Sequence, residues 1–413
     1  AFDLEFNPRA SAQIELRQHY PQPGWVEHDA EEIWTATLKV CEDVIAALGG
    51  PANVAAIGIT NQRETTIVWD RQTGAPVHKA IVWQDRRTAA WCARLREEGR
   101  EQRVQDVTGL LLDPYFSATK IAWILDRDPA LRARAENGEL AFGTIETFLV
   151  WRLTNGRSHF SDVTNAARTL LFDIAKRDWC EEMCALFRVP RAMLPKTVAC
   201  DAHFGEIDAK HLGRAIPIHG MAGDQQAALV GHGCLKPGMA KVTYGTGAFL
   251  VMNMGDAPPR SRNRLLATVG YQAKQDFAYA LEGSIFSAGA TMQWLRDGLK
   301  LIKSSAESEA IAEALPDNGG VYLVPAFVGL GAPQWSADAR GTIVGLTRDS
   351  RLEHLVRAGL EAVAYQTADL LDALRADGAP PIKSLLVDGG LTANGWAMPL
   401  LADVCNVEDA RPA

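Results

Sequence analysis

Several short runs of aliphatic and β-branched residues in this chain end abruptly in glycine or small polar residues. They are VAAIGIT (54–60) ahead of Asn61-Gln62-Arg63-Glu64, IPIHGMA (216–222) ahead of Gly223-Asp224, KVTYGTGAFLVMN (241–253) about a Gly-Thr-Gly centre, and SLLVDGG (384–390). Such runs are too short to cross a membrane and too apolar for a surface, so they read as buried strands that deliver polar residues at their ends. Helical patterns follow several of them, and an alternation of strand and helix argues for the α/β class. With 413 residues the chain is expected to hold two or three domains.

Local signals place further elements. Asp29 followed by Glu32 has the spacing of a helix N-terminus, and Ile33, Val40, Cys41, Val44, Ile45 and Leu48 continue one apolar stripe. TTIVWD (65–70) and HKAIVW (78–83) flank a turn signal and are expected to pair antiparallel. Helices are expected over 85–98, over most of 119–151 with breaks at Pro129 and Gly138, over 284–300, and from about Ala393. Leu235-Lys236-Pro237-Gly238 reads as the boundary between two domains, 1–234 and 235–413.

Composition excludes several classes. Apolar residues make up 47% and charged residues 22%, a globular balance that excludes disorder and coiled coils. Acidic residues outnumber basic ones, 50 to 42, and no basic tract offsets them, so nucleic acid is not an expected partner. No run approaches a membrane span and no signal-peptide pattern opens the chain, which sets the expectation of a cytoplasmic protein. The seven cysteines form no CxxC pair, so reduced, mostly buried thiols are expected rather than a zinc site.

Three glycine-bearing segments invite phosphate chemistry. Tyr244-Gly245-Thr246-Gly247 would let backbone N–H groups approach an anion, but a plain β-turn needs the same residues. The glycines of VDGG (387–390), with Asn394 a turn later, suit an anion or the flat face of a base, and equally suit close helix–strand packing. Asp224, between strand and helix, would ordinarily be an N-cap, though the junction also suits a ligand. Arg63 and Glu64 could be a surface pair, and they share a site only if the strand bends there. Trp83, Tyr115 and Phe249 could be core aromatics or the apolar wall of a polyol site. No GxxxxGK[ST] motif and no protein-kinase HRD or DFG motif is present.

Taken together, YPQPGWVEHD (20–29), AAIGITNQRETTIVW (55–69), AIVWQDRRT (80–88), DPYFSATK (113–120), TNAARTLLF (164–172), GMAGDQQAAL (220–229), TYGTGAF (243–249), YLVPAFVGLGAPQW (322–335) and VDGGLTAN (387–394) closely resemble the FGGY family of carbohydrate kinases. NQRETT and VWQDRRT resemble its glycerol-specific branch. The resemblance implies two actin-like, ribonuclease-H-like domains with a catalytic cleft between them. It implies phosphorylation of glycerol by ATP, with Mg²⁺, to sn-glycerol 3-phosphate, and a homo-oligomer, dimer or tetramer.

Matched position by position, the resemblance makes Asp224 the general base. Arg63, Glu64, Tyr115 and Gln225 become glycerol hydroxyl contacts, and Trp83 and Phe249 an apolar wall. Gly245 and Thr246 match a phosphate-binding hairpin, and Gly289, Gln293, Gly390 and Asn394 match nucleotide-binding positions. The family's D-x-G-T-T-S-x-R loop, which contributes a metal-associated aspartate alongside Asp224, would precede Ala1-Phe2-Asp3, and a helical stretch would follow VEDARPA (407–413). A fragment limited to these residues is expected to be nearly inactive. The competing readings are a kinase of another small polyol or ketose, and a non-catalytic nucleotide-binding or interaction protein on the same scaffold.

Overall fold

A computed structural model describes residues 1–410; residues 411–413, the end of the VEDARPA segment, lie outside the described residues. The described chain forms two compact units. One comprises Ala1–Asp224 with Tyr271–Phe277, the other Gln225–Gly270 with Ala278–Ala413. Both mix strands and helices, as the strand–turn–helix pattern requires. The Leu235–Gly238 segment is an irregular turn inside the second unit's portion of the chain.

In the first unit, helix α1 (Ala30–Ala47) begins at Asp29, whose carboxylate accepts from the backbone N–H groups of Glu31 and Glu32. Strand β1 (Ile57–Asn61) follows. Strand β2 (Ile67–Asp70) keeps the expected antiparallel contact with the run after the turn, through bridges at Thr66–Ile81 and Trp69–Pro76 and through Val77 N donating to Val68 O at 2.9 Å and Asp70 N to Ala75 O at 3.0 Å. It also pairs antiparallel with strand β3 (Leu140–Gly143), a partner not expected from the sequence. Burial holds this second pairing: all four β3 residues are enclosed, and Trp69 packs there against Phe148 and Trp151. Each such enclosed side chain contributes about 1.5–3 kcal/mol.

The expected long helical stretch is correspondingly divided. It runs as helix Ser117–Asp126, helix Pro129–Glu136 with Pro129 in its first turn, strand β3, and helix Ile145–Leu153. Strand β4 (Pro217–Gly223) lies parallel to β1, with Gly223 opposite Asn61. The segments after these two neighbouring strand ends therefore start side by side: Gln62-Arg63-Glu64 after β1, and Asp224 after β4. In open α/β sheets this carboxyl edge is where ligands bind.

The second unit is built on a six-stranded sheet. Strands β5 (Ala240–Tyr244) and β6 (Ala248–Gly255) form a hairpin about Gly245–Gly247. Strands β7 (Leu266–Ala273) and β8 (Asp276–Ile285) extend it on one side, and β9 (Ser384–Asp388) and β10 (Glu408–Ala410) on the other. β9 runs parallel to β5, with Asp388 opposite Thr243. The 25-residue helix Leu352–Ala376 buries Val356, Leu360, Leu370, Leu371 and Leu374.

Three helix boundaries differ from expectation, the helix expected over 85–98 occupying Ala89–Glu97. Residues 284–285 end β8, and the helix begins only at Gly289, running over Gly289–Gln293 and on through a wider π-type turn, Trp294–Gly298. The helix expected from Ala393 begins at Ala397, because Asn394 Oδ1 accepts from the N–H groups of Trp396 and Ala397 and caps that end. Among the described residues, no helix is long and apolar enough to cross a membrane.

Candidate active site

In the first unit, Arg63, Glu64, Trp83, Tyr115 and Asp224 come together. The bend that a shared site demands is present: Glu64 takes a left-handed backbone conformation, φ 59°. For a residue with a Cβ this costs on the order of 1 kcal/mol and persists only where surrounding contacts enforce it. They do so here. The Glu64 carbonyl accepts from Ser117 Oγ at 3.2 Å and from Lys120 Nζ at 3.3 Å. Lys120 also donates to the Tyr115 carbonyl at 2.6 Å. Burial brings the Lys120 ammonium down to about 8 against the opposing pull of Glu64, Asp85 and Asp113.

Arg63 and Glu64 are buried, so the surface-pair reading does not hold. Arg63 Nε stands 3.1 Å from Asp224 Oδ1 and 3.9 Å from Glu64 Oε1, and Nη2 donates to the Tyr115 hydroxyl at 3.4 Å. Glu64 Oε1 also accepts from Arg168 Nε at 2.6 Å. The side chain of Asp224 is 42% exposed, whereas those of Arg63 and Glu64 are each 2% exposed. The cluster therefore presents one accessible carboxylate on a fixed, buried ionic base. The helix Asp224–Gly231 opens on Asp224 itself. Trp83 meets the Tyr115 ring edge-on at 5.6 Å between centroids and forms an apolar side to this polar group.

Residues without an assigned role in the sequence hold these in place. Asp113 forms a two-point pair with Arg86 at 2.8 and 3.3 Å and accepts from the Tyr115 N–H at 2.9 Å. Beneath the strand ends, Asn61 Nδ2 donates to Glu146 Oε2 at 2.7 Å and to Asn165 Oδ1 at 3.0 Å. Asn165 Nδ2 donates to Asp162 Oδ2 at 2.7 Å. Thr164 accepts from the Gly223 N–H at 2.9 Å and donates to Asp162. This network joins the ends of β1 and β4. Burial, reinforced by the Asp162 charge, pushes the Glu146 carboxyl up to about 7.

In the second unit, Gly245, Thr246, Gly289, Gln293, Gly390 and Asn394 all line one cavity of about 450 Å³, within the range of small-molecule sites. The hairpin tip is sewn to the following helix. Gly245 O accepts from Gly289 N at 2.9 Å, and Thr246 O accepts from Ala288 N at 2.9 Å and Ala290 N at 3.0 Å. A Cβ on Gly289 would stand 2.6 Å from Gly245 O, so this contact requires glycine.

The two glycines of VDGG divide the roles left open above. Gly389 has φ 92°, and a Cβ there would lie 2.4 Å from Tyr244 O; it serves packing. Gly390 has nothing within 4 Å of that position and faces the cavity. Asn394, besides its cap, donates from Nδ2 to Ser308 Oγ at 3.2 Å, so it acts as an anchored wall. Gln225 and Phe249 belong to the second unit. Gln225 Oε1 accepts from the buried Lys241, which also donates to Thr243 Oγ1 at 2.8 Å. Phe249, half-buried on β6, stands opposite Thr243 and Ser284.

Residues 1–231 match the FGGY family of carbohydrate kinases, N-terminal domain, and residues 240–412 its C-terminal domain. Glycerol kinase 1 of Pseudomonas aeruginosa is 58% identical over 412 residues, covering 100% of this chain and 83% of that protein. The solved structure of Plasmodium falciparum glycerol kinase with ADP superposes with a TM-score of 0.89 at 38% identity, covering 99% of this chain and 82% of that one. A gluconate kinase from Lactobacillus acidophilus, at 21% identity, shares the fold alone, with a TM-score of 0.86 over 99% of this chain and 82% of its own. This chain belongs to the FGGY family of carbohydrate kinases. The α/β expectation and the family resemblance agree with these findings.

Proposed function

We infer that the chain phosphorylates glycerol with ATP, giving sn-glycerol 3-phosphate and ADP. The observation that carries this reading is the placing of Arg63 between two carboxylates, 3.1 Å from Asp224 and 3.9 Å from Glu64, with the Tyr115 hydroxyl alongside. Donor and acceptor side by side suit a neutral polyol, whose hydroxyls both donate and accept. Two guanidiniums, Arg63 and Arg168, balance two carboxylates, so the pocket has no strong preference for an ionic ligand. Trp83 supplies apolar surface for the carbon chain.

Asp224 takes the proton from the terminal hydroxyl as that oxygen attacks the γ-phosphorus in line. Phosphoryl transfer asks for positioning more than for a strong base, so a carboxylate held by Arg63 suffices. Gly245 and Thr246 bind phosphate through the hairpin, while Gly289, Gln293, Gly390 and Asn394 shape the nucleotide cavity.

Among the described residues, no group of three or more His, Cys, Asp or Glu side chains could hold a metal ion. Mg²⁺ carried on the nucleotide phosphates would need only one or two protein carboxylates, and Asp224 is accessible enough to be one. When bound, the ion neutralises charge on the transferring group.

The test is a coupled assay of ADP release with glycerol, 1,2-propanediol and a pentulose. Loss of one hydroxyl leaves a buried polar partner unmatched, at about 1–3 kcal/mol, so kcat/KM should fall ~5- to 150-fold for the diol. Comparable values for glycerol and the diol, or preferred turnover of the pentulose, would contradict the pocket.

A further inference from the structure

Arg168 has no exposed side-chain surface, yet it carries a full charge. It sits in the TNAARTLLF segment, just past the short helix Val163–Ala166. Its Nε donates to Glu64 Oε1 at 2.6 Å. Its guanidinium lies over two rings of the same region, 5.5 Å from the Tyr115 centroid and 5.3 Å from that of Phe116. A buried guanidinium is a poor way to fill space, because an apolar side chain of similar volume avoids the loss of hydration. What it adds is direction: a planar donor fork, flanked by rings, restricts how a carboxylate can turn. Its partner is also the residue whose left-handed backbone is clamped by Ser117 and Lys120. Glu64 is therefore fixed at both ends, backbone by Ser117 and Lys120, carboxylate by Arg168.

We propose that Arg168 is a positioning residue that fixes the direction in which Glu64 accepts a polyol hydroxyl, and so sets selectivity for a triol. This rests on the reading of Arg63 and Glu64 as the polyol contacts. An ionised carboxylate has acceptor capacity for several donors, so a guanidinium and a ligand hydroxyl can share it.

The experiment uses the full chain with Arg168→Gln, Arg168→Lys, Glu64→Gln and the double variant Glu64→Gln/Arg168→Gln. Steady-state constants are measured for glycerol, 1,2-propanediol and ATP, with thermal melts alongside. Arg168→Gln should lower kcat/KM for glycerol by roughly tenfold or more, chiefly through the glycerol KM, and leave the ATP KM unchanged. The preference for glycerol over the diol should fall to that of Glu64→Gln. Arg168→Lys should recover part of it, and adding Arg168→Gln to Glu64→Gln should cost little more, since the two residues act as a unit.

An unchanged glycerol-to-diol ratio in Arg168→Gln, or losses that multiply in the double variant, would overturn the proposal. If Arg168→Gln does not fold, Arg168→Lys decides by the same ratio, and retention of the full wild-type preference overturns it. Failure of the underlying reading looks different: Glu64→Gln itself would leave glycerol turnover intact.

Discussion

The two candidate sites recognise their ligands by opposite means. In the first unit, charged side chains are buried and locked: Arg63, Glu64, Arg168 and Lys120 hold one another, and Asp224 is the accessible member. In the second, the cavity is lined by glycines and by uncharged side chains such as Tyr244, Met292 and Leu391, and Glu309 is the one charged residue among the described residues lining it. The contrast follows from what each would bind. A neutral triol has only hydroxyls to tell it apart, so it needs side chains of fixed polarity. A nucleotide brings its own charge and a flat base, so room and backbone N–H groups suffice. Substitutions should accordingly act through polarity in the first unit and through sterics in the second.

The largest expected effect tests the first half of that contrast. Asp224→Asn keeps the side chain's shape and removes the base, so kcat should fall by ~10²–10⁴. ADP affinity, measured by titration, should be retained. Near-wild-type turnover would return Asp224 to the role of a helix-terminus residue.

The second half is sharpened by neighbouring glycines. Gly389→Ala places a Cβ 2.4 Å from Tyr244 O in a left-handed conformation, at a cost of about 1–3 kcal/mol or more. A thermal melt should show a loss of several degrees. Gly390→Ala meets nothing within 4 Å, so the melting temperature should hold while ADP binding weakens. Equal destabilisation by both would erase the distinction between a packing glycine and a cavity glycine.

The smallest effect concerns the network under the first site. The folded protein keeps the Glu146 proton up to about 7, whereas the unfolded chain releases it near the ordinary value of 4.5. Folding thus takes up protons in that window. The contribution of Glu146 to stability is fully present below 4.5 and is lost as pH rises through 7. Glu146→Gln cannot titrate, so the stability advantage of wild type over the variant should decline between pH 4.5 and 7 and then level off. His159, which burial holds neutral down to about 4, acts in the opposite sense, adding stability as pH rises from 4 to 6.5. It is common to both proteins and cancels in the difference. Denaturant titrations across this range supply the measurement, and a flat difference would refute it.

What could be read from the sequence was what local chemistry determines. Helix α1 was legible because its cap and apolar stripe are contiguous, and the β5–β6 hairpin because Gly-Thr-Gly marks its turn. Strand β3 was not, because its pairing with β2 joins residues some seventy positions apart and rests on burial. The end of β8 passed for helix because a short apolar run carries no period that separates the two.

The same division holds for the sites. Four of the six cavity residues, Gly245, Thr246, Gly390 and Asn394, were legible as glycine-bearing turns, and Gly289 and Gln293 only through the family resemblance. Arg168 and Lys120 sit in segments that the family resemblance includes, but nothing in a linear pattern distinguishes a buried guanidinium from a solvated one. Only their distances to Glu64 assign them a task.

Separate residues for polyol and nucleotide are the central claim, and calorimetric titration of Glu64→Gln against wild type tests it most directly. Glycerol and ADP are titrated separately into each protein. Glycerol affinity should fall by ~10-fold or more in the variant, from the loss of a charged acceptor, while the ADP dissociation constant stays unchanged. ADP affinity falling in step with glycerol affinity, or glycerol binding as tightly as before, would contradict the account.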